Sequence, residues 1–359
     1  MALPTSQSVL ESMLRQKVRF KAPSSDPDHS FALSSFKLLA SLPCEGSCMD
    51  ATDKCMAVGG IDGSLWVDGT LFHTDHEPIL DVAIQPMTQK VFYTIYHHGQ
   101  LDVKCVGENE PLFSVTHVDP VHPGGGVCFD DENHLYFAVG SGDTPHHAQD
   151  HRLLHGKILR IFAESPAIPV DNPFASGTLR SIFRPEIYHS GLRNPKELIW
   201  DKQLWVLDSC REKDGYQHLY CLEDPRNCRY GWYDGFRPMN DDMLVHESTY
   251  ILPQATPHMS YQDPSISKSH FLDCLPEIGS EVVGGCLLPN HAFLFADKHA
   301  GFLAFLPKRE MGNVISQDNE ITLIRGKEQI GTITSMAGRG KEVVILSRDK
   351  IYRALPRDS

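Results

Sequence analysis

The sequence predicts an all-β chain: a six-bladed β-propeller of four-stranded antiparallel blades, preceded by a short N-terminal arm. Three observations predict it. One unit recurs six times, at a spacing of roughly 45–65 residues: an apolar strand, a polar turn, an aromatic-rich strand, a Gly/Asp turn and a further apolar strand. Amphipathic helical periodicity is nearly absent after the N-terminal stretch. The 359 residues, 41% of them hydrophobic and 22% charged, suit one large globular unit.

Residues 1–36 read as the arm. Leu10, Met13, Leu14 and Val18 lie on one face of a short amphipathic helix. The stretch has no apolar core and no small-residue cleavage pattern of a secretory leader. Arg15, Lys17, Arg19 and Lys21 among serines carry a faint transit-peptide character. A chain without a leader reads as cytoplasmic, or as secreted or periplasmic if its N-terminus is incomplete. The polar stretch APSSDPDHS ends the arm, and residues 37–359 form the propeller.

The clearest units follow in order. They are SCMDATDKCMAVGGIDGSLWV, LDVAIQPMTQKVFYTIYHHGQLDVKCV, GGVCFDDENHLYFAVGSGD with GKILRIF, and KELIWDKQLWVLDSC with YQHLYCLE. The last two are GGCLLPNHAFLFADKHAGFLAFL and ITSMAGRGKEVVILSRDKIYRALP. A pair of β-sandwiches is the competing architecture, and the recurring unit argues against it. In a propeller the first strand of each blade lines the central axis, so residues at those strands surround one shared site at a channel mouth.

The net charge is −13, with Lys and Arg scattered. A nucleic-acid footprint is therefore missing, and the acidity serves solubility. No apolar run of 18 residues marks a membrane span. Ten cysteines are present without a C-x-x-C pair, which argues against a zinc site. They read as mostly reduced thiols, with Cys44–Cys48 and Cys221–Cys228 as pairs open to oxidation in an exported protein. The stretch HHAQDHRLLH holds His146, His147, His151 and His155. It reads as a solvated loop running into a strand rather than as a metal site.

Between His122 and Trp232 the motifs occur in a fixed order: HPGG from His122, LYFAVGSGD ending at Asp143, AQDHRLLHGKILRI, IPVDNPF, PEIYHSGLRNP containing Arg193 and Asn194, and RYGW. This series resembles the soluble quinoprotein sugar dehydrogenases, the glucose/sorbosone dehydrogenase family of six-bladed propellers. A more distant resemblance is to the hedgehog-interacting-protein-like proteins. The first resemblance implies oxidation of an aldose sugar at its anomeric hydroxyl, with pyrroloquinoline quinone (PQQ) as hydride acceptor and a further electron acceptor downstream. Such chemistry needs a base with a pKa near working pH, which suits histidine.

The resemblance implies His122 as that base and Asp143 as the carboxylate that orients it. It gives Arg193 an electrostatic role at the reacting centre, and Arg193 and Asn194 contacts to the quinone. Lys298, in ADKHAG, matches a cationic cofactor contact. Gly124 and Gly125 are expected to let a flat ligand approach the backbone. Read from residue types alone, His122 is also an ordinary histidine in a Gly-rich turn, and Arg193 an ordinary loop arginine in a salt bridge.

Two segments depart from the family. Its last blade supplies arginines to the cofactor carboxylates, and here the stretch GTITSMAG offers Thr332 and Thr334. One lost charge-assisted contact costs about 1.5–3 kcal/mol, or one to two decades of affinity. The calcium loop reads LDSCREKDGYQHLY, so Asp208, Glu212 and Asp214 supply oxygens beside an unhelpful Arg211. Calcium is therefore expected at most through Asp208 and its neighbours.

Three functions compete on this reading. The first is a PQQ-dependent sugar dehydrogenase. The second is a catalytically inactive propeller of the same family that binds a protein or a carbohydrate. The third is a calcium-dependent lactonase, which needs a ring of acidic and amide side chains at the axial strand starts. No such ring is visible in the sequence.

Overall fold

The computed structural model describes residues 19–21, 33–74, 76–165, 167–209 and 216–230. Of the last third it describes 233–234, 237–238, 252–255, 257, 259–262, 282–287, 293–298, 303–306, 320–324, 330–339 and 342–356. The first sheet is built from Gly46–Ala51, Met56–Gly60, Ser64–Val67 and Thr70–Thr74. The second is built from Ile79–Ile84, Val91–His97, Gln100–Cys105 and Phe113–Thr116. The third is Gly124–Phe129, His134–Val139, Lys157–Phe162 and Ile187–Ser190. The fourth is Pro195–Trp200, Leu204–Ser209, Tyr216–Leu222 and Met259–Gln262. Each runs antiparallel in chain order, so local turns set the pairing.

The fifth sheet holds five strands. Val282–Leu287, Phe293–Asp297, Leu303–Leu306 and Glu320–Ile324 pair antiparallel, and Arg19–Lys21 adds to Glu320–Ile324 in parallel. A two-stranded sheet pairs Tyr233–Asp234 with Arg237–Pro238, and a further four-stranded sheet takes Ser335–Arg339, Glu342–Ser347 and Lys350–Pro356 from the C-terminus. Its outer strand is Leu33–Ser41, which pairs antiparallel with Lys350–Pro356. Residues expected as a free arm thus contribute two paired segments, Arg19–Lys21 and the first residues of Leu33–Ser41. The helix expected through Leu10 and Val18 lies outside the described residues.

The first strands of the four- and five-stranded sheets contact one another in succession, from Gly46–Ala51 round to Ser335–Arg339 and back. The chain is an all-β propeller. Five of the axial strands carry a register shift, between Gly46 and Cys48, Ile79 and Asp81, Gly124 and Val127, Pro195 and Glu197, and Val283 and Cys286. A bulge bends a strand and re-aims its side chains. Here it aims carboxylates across the gap to the next sheet. Asp50 accepts Ile84 N–H at 2.7 Å, Asp81 accepts Val127 N–H at 2.8 Å, and Glu197 accepts Gly284 N–H at 2.8 Å. These acids hold neighbouring blades in register at the axis.

The apolar core lies between sheets. Phe92, Leu101 and Val103 pack on Phe129, Phe137 and Leu159, and Ile79, Tyr93 and Ile95 pack on Cys48, Ala57 and Leu65. Each fully buried side chain of this size contributes about 1.5–3 kcal/mol. The histidine-rich stretch departs from the expected solvated loop. Pro145–Gln149 forms a short helix with Pro145 in its first turn, a position where the missing N–H costs nothing. His151 is buried against Phe174 and Phe183. Cys44, Cys48, Cys221 and Cys228 are free thiols. Among the described residues no helix is long and apolar enough to cross a membrane.

Candidate active site

The motif residues converge where the third and fourth sheets adjoin. The loop Gly191–Asn194 sits between two strands, and its backbone is held from both sides. Ser141 and Gly142 N–H donate to the Arg193 carbonyl at 2.8 and 3.2 Å. Asp208 accepts Arg193 N–H at 3.1 Å and Asn194 N–H at 2.6 Å, one on each carboxylate oxygen. Tyr230 Oη donates to the Gly142 carbonyl at 3.1 Å. With the loop backbone fixed, the Arg193 side chain has one way to go.

That side chain is buried, at 2% exposure, and runs under His122. Its Nη2 lies 3.0 Å from His122 Nε2 and 3.0 Å from Asp143 Oδ1. Nε reaches the same Asp143 oxygen at 3.2 Å, and Nη1 donates to the Ser209 carbonyl at 3.3 Å. His122, Asp143 and Arg193 therefore meet at one point. Asp143 was expected on the histidine, but its carboxylate bonds the guanidinium. The carboxylate beside the imidazole is Asp119, whose Oδ1 lies 3.3 Å from His122 Nδ1. Asp119 was missed because the motif begins at His122. The DPVH turn, with an aspartate three residues before the histidine, was the available sign.

Burial lowers the His122 pKa below its ordinary value, and the Arg193 charge lowers it further, against the opposing pull of Asp119 and Asp143. The imidazole is held neutral by this balance. A neutral imidazole next to a fixed cation can take a proton from an acid placed against Nε2, once the guanidinium yields that nitrogen.

Beside this cluster a cavity of about 770 Å³ runs along the axis, lined by the first strands of the four- and five-stranded sheets. Val121, Pro123, Gly124, Asn194 and Lys298 lie on its wall, so His122 is flanked by lining residues on both sides. Asn194 Oδ1 accepts Gly124 N–H at 3.0 Å, which leaves the NH2 half of the amide for an occupant of the cavity. The glycines do not form an open floor. A Cβ on Gly124 would fall 2.7 Å from Gly140 N, and one on Gly125 would fall 2.8 Å from a Leu80 methyl. Their lack of a side chain is used by the protein, to let two strands and a neighbouring blade close up.

The lining also carries Asp50, Asp81 and Glu197, and Thr334 and Ser335 from the last sheet. An axial set of acids thus exists, contrary to the sequence reading, but its members accept backbone N–H groups of the next strand. Burial raises the pKa of Asp50 and raises that of Asp81 further. Asp208, the expected calcium ligand, has both oxygens on the Arg193 and Asn194 amides. Glu212 and Asp214 lie outside the described residues. No group of three His, Cys, Asp or Glu side chains suited to a metal ion occurs among the described residues.

Residues 80–271 match the model of the glucose/sorbosone dehydrogenase family. The aldose sugar dehydrogenase YliI of Escherichia coli is 36% identical over 127 residues, 32% of this chain and 32% of that protein. The HIPL2 protein of Arabidopsis thaliana is 30% identical over 212 residues, 49% of this chain and 28% of that protein. The matched stretch thus spans about a third or less of these relatives. The PQQ-bound aldose sugar dehydrogenase of Streptomyces coelicolor shares the fold. It has a TM-score of 0.64 at 15% identity, covering 89% of this chain and 98% of that one. The soluble aldose sugar dehydrogenase of Escherichia coli, in its apo-form, gives 0.64 at 16% identity, covering 90% and 99%.

Proposed function

Because the chain belongs to the glucose/sorbosone dehydrogenase family, we propose that it oxidises an aldose-class sugar at the anomeric carbon, with His122 as the base. The observation that carries this reading is the buried Arg193, which holds His122 Nε2 and Asp143 together, next in sequence to Val121, Pro123 and Asn194 of the cavity lining. Loss of hydride from the anomeric carbon and of the hydroxyl proton to His122 Nε2 leaves a lactone. The Arg193 guanidinium, once it yields Nε2 to the substrate hydroxyl, stabilises the negative charge that builds on the reacting oxygen. The reading goes with six blades, the five-stranded sheet being one blade with Arg19–Lys21 added at its edge.

The cofactor of this reading is PQQ, which, when bound, supplies the hydride acceptor. Two residues of the cavity lining would hold an anionic planar group. Asn194 offers an amide donor there, and Lys298 a cation. Arg193 lies on the Nε2 side of the base. Calcium remains an expectation that rests on residues 210–215, which lie outside the described residues.

A second reading is favoured by other residues of the same lining. Thr334 and Ser335 stand there with Asp50, Asp81 and Glu197, where a tricarboxylate calls for cations. A propeller of this family that binds a protein or a carbohydrate without the quinone accommodates those residues. Similarity to the HIPL2 protein fits it as well.

One experiment separates the two. The purified protein is titrated with PQQ, with and without calcium, by quenching of tryptophan fluorescence. Aldoses are then assayed with an artificial electron acceptor. The dehydrogenase reading expects saturable quinone binding, and turnover that His122→Ala lowers at least a hundredfold. Absence of both binding and turnover leaves the binding-module reading.

A further inference from the structure

We propose that Asp119 is the carboxylate that positions His122, and that Asp143 instead holds Arg193. The assignment rests on the dehydrogenase reading for its catalytic meaning and on geometry alone for its content. A guanidinium has donors only. Arg193 Nη2 at 3.0 Å therefore requires an unprotonated His122 Nε2. The neutral ring then carries its proton on Nδ1, and Nδ1 faces Asp119 Oδ1 at 3.3 Å. The lone pair of Nε2, the one a substrate proton needs, is left on the side of Arg193.

Asp119 is itself fixed before it meets the ring. Its Oδ1 accepts Val121 N–H at 2.9 Å and His122 N–H at 2.8 Å, closing a turn that the imidazole then joins. Gly142, in the SGD motif, makes room for it. A Cβ there would lie 2.7 Å from both Cγ and Oδ2 of Asp119, and Gly142 has φ +56°. Part of that motif thus serves Asp119. Asp143, by contrast, is 69% exposed and places one oxygen on two guanidinium nitrogens. Its influence on the imidazole passes through space and through Arg193. The charged groups facing His122 are Asp119 from its own loop, Arg193 from the loop before Pro195, and Asp143 from the turn after Val139.

The test is an NMR titration of the His122 ring in protein labelled at histidine, assigned with His122→Ala. Asp119→Asn keeps the turn, because its amide oxygen accepts the same two N–H groups, but removes the charge from Nδ1. We expect it to lower the His122 pKa by about one unit. Asp143→Asn is expected to lower it less and to keep the Nδ1–H tautomer. Where turnover exists, the acid limb of kcat/KM follows the same shift. If Asp119→Asn does not fold, Asp119→Ser, whose hydroxyl still caps the turn, must give the same fall. An unmoved His122 pKa in the Asp119 variants overturns the assignment, as does a larger fall in Asp143→Asn. The titration needs no cofactor and no turnover, so its outcome is independent of whether the protein proves to be a dehydrogenase.

Discussion

Arg193 Nη2 stands 3.0 Å from His122 Nε2 and 3.0 Å from Asp143 Oδ1, so one buried guanidinium joins the base to an exposed carboxylate. Replacing it with a side chain of similar length and no charge removes both links and the contact to the Ser209 carbonyl. Arg193→Met is expected to cost about 1.5–3 kcal/mol in urea unfolding, most of it from the buried end of the network. It also raises the His122 pKa, since the Arg193 charge is one of the two influences that lower it. A ring titration that shows a fall contradicts the arrangement.

Buried histidines are expected to cost stability in mild acid, against the opposite contribution of Asp50 and Asp81, whose raised pKa values let the fold bind protons there. Burial lowers the pKa of His151 to about 4 and that of His189 to about 3, from 6.5. Both are neutral in the fold and charge readily in the unfolded chain. At these two histidines the unfolded state therefore binds more protons below pH 6.5, and their contribution to stability falls as pH falls. The loss runs from about 6.5 to about 4 for His151, and on to about 3 for His189. Each contributes up to about 1.4 kcal/mol per pH unit in its window. Urea midpoints measured from pH 7 to 4.5 check this, and His151→Gln should flatten the slope by one proton.

Much of the fold was legible because each sheet is local. The six recurring units hold the inner strands of the sheets, since hairpin pairing needs only a strand, a turn and a strand. The strand Leu33–Ser41 was not legible past its last residues. It pairs with Lys350–Pro356, and no local pattern reports a partner at the other end of the chain. His122, Arg193, Asn194 and Lys298 were named because the order of the motifs resembles the family's, and the structure brings His122 and Arg193 into contact. Asp119 was not named, because an aspartate before a proline reads equally well as a turn. The acids Asp50, Asp81 and Glu197 have no common sequence spacing, and only the ring of strands brings them to one axis. Gly124 and Gly125 also meet protein atoms where a Cβ would sit, and the sequence does not show this. A missing side chain makes space for protein as readily as for ligand.

Glycines near the site should differ sharply in their tolerance of alanine. A Cβ on Gly140 would fall 1.9 Å from the His122 carbonyl oxygen and 3.0 Å from Gly124 N, both of them backbone atoms. Gly140→Ala must move the His122 loop, at an expected cost of about 2–3 kcal/mol. Gly99 has φ +82° but nothing within 4 Å of a Cβ. Gly99→Ala is left with backbone strain alone, about 1–2 kcal/mol. The His122 ring resonances should shift in the first variant and stay in place in the second. Equal shifts in both would mean that Gly140 does not brace the base.

Closure of the ring depends on residues from both ends of the chain. Leu33–Ser41 covers the edge of Lys350–Pro356, and Leu42 N–H donates to the Asp349 carbonyl at 2.6 Å. A chain lacking residues 1–42 leaves that edge bare, and an unpaired edge invites association. With about four to six ladder hydrogen bonds lost, the expected destabilisation is about 3–6 kcal/mol. The truncated protein should unfold at lower urea and elute partly as oligomers in size-exclusion chromatography. A synthetic peptide of residues 33–42, added in excess, should restore part of the midpoint by occupying the edge. An unchanged midpoint in the truncated chain would show that the outer strand decorates the last sheet and does not close the ring.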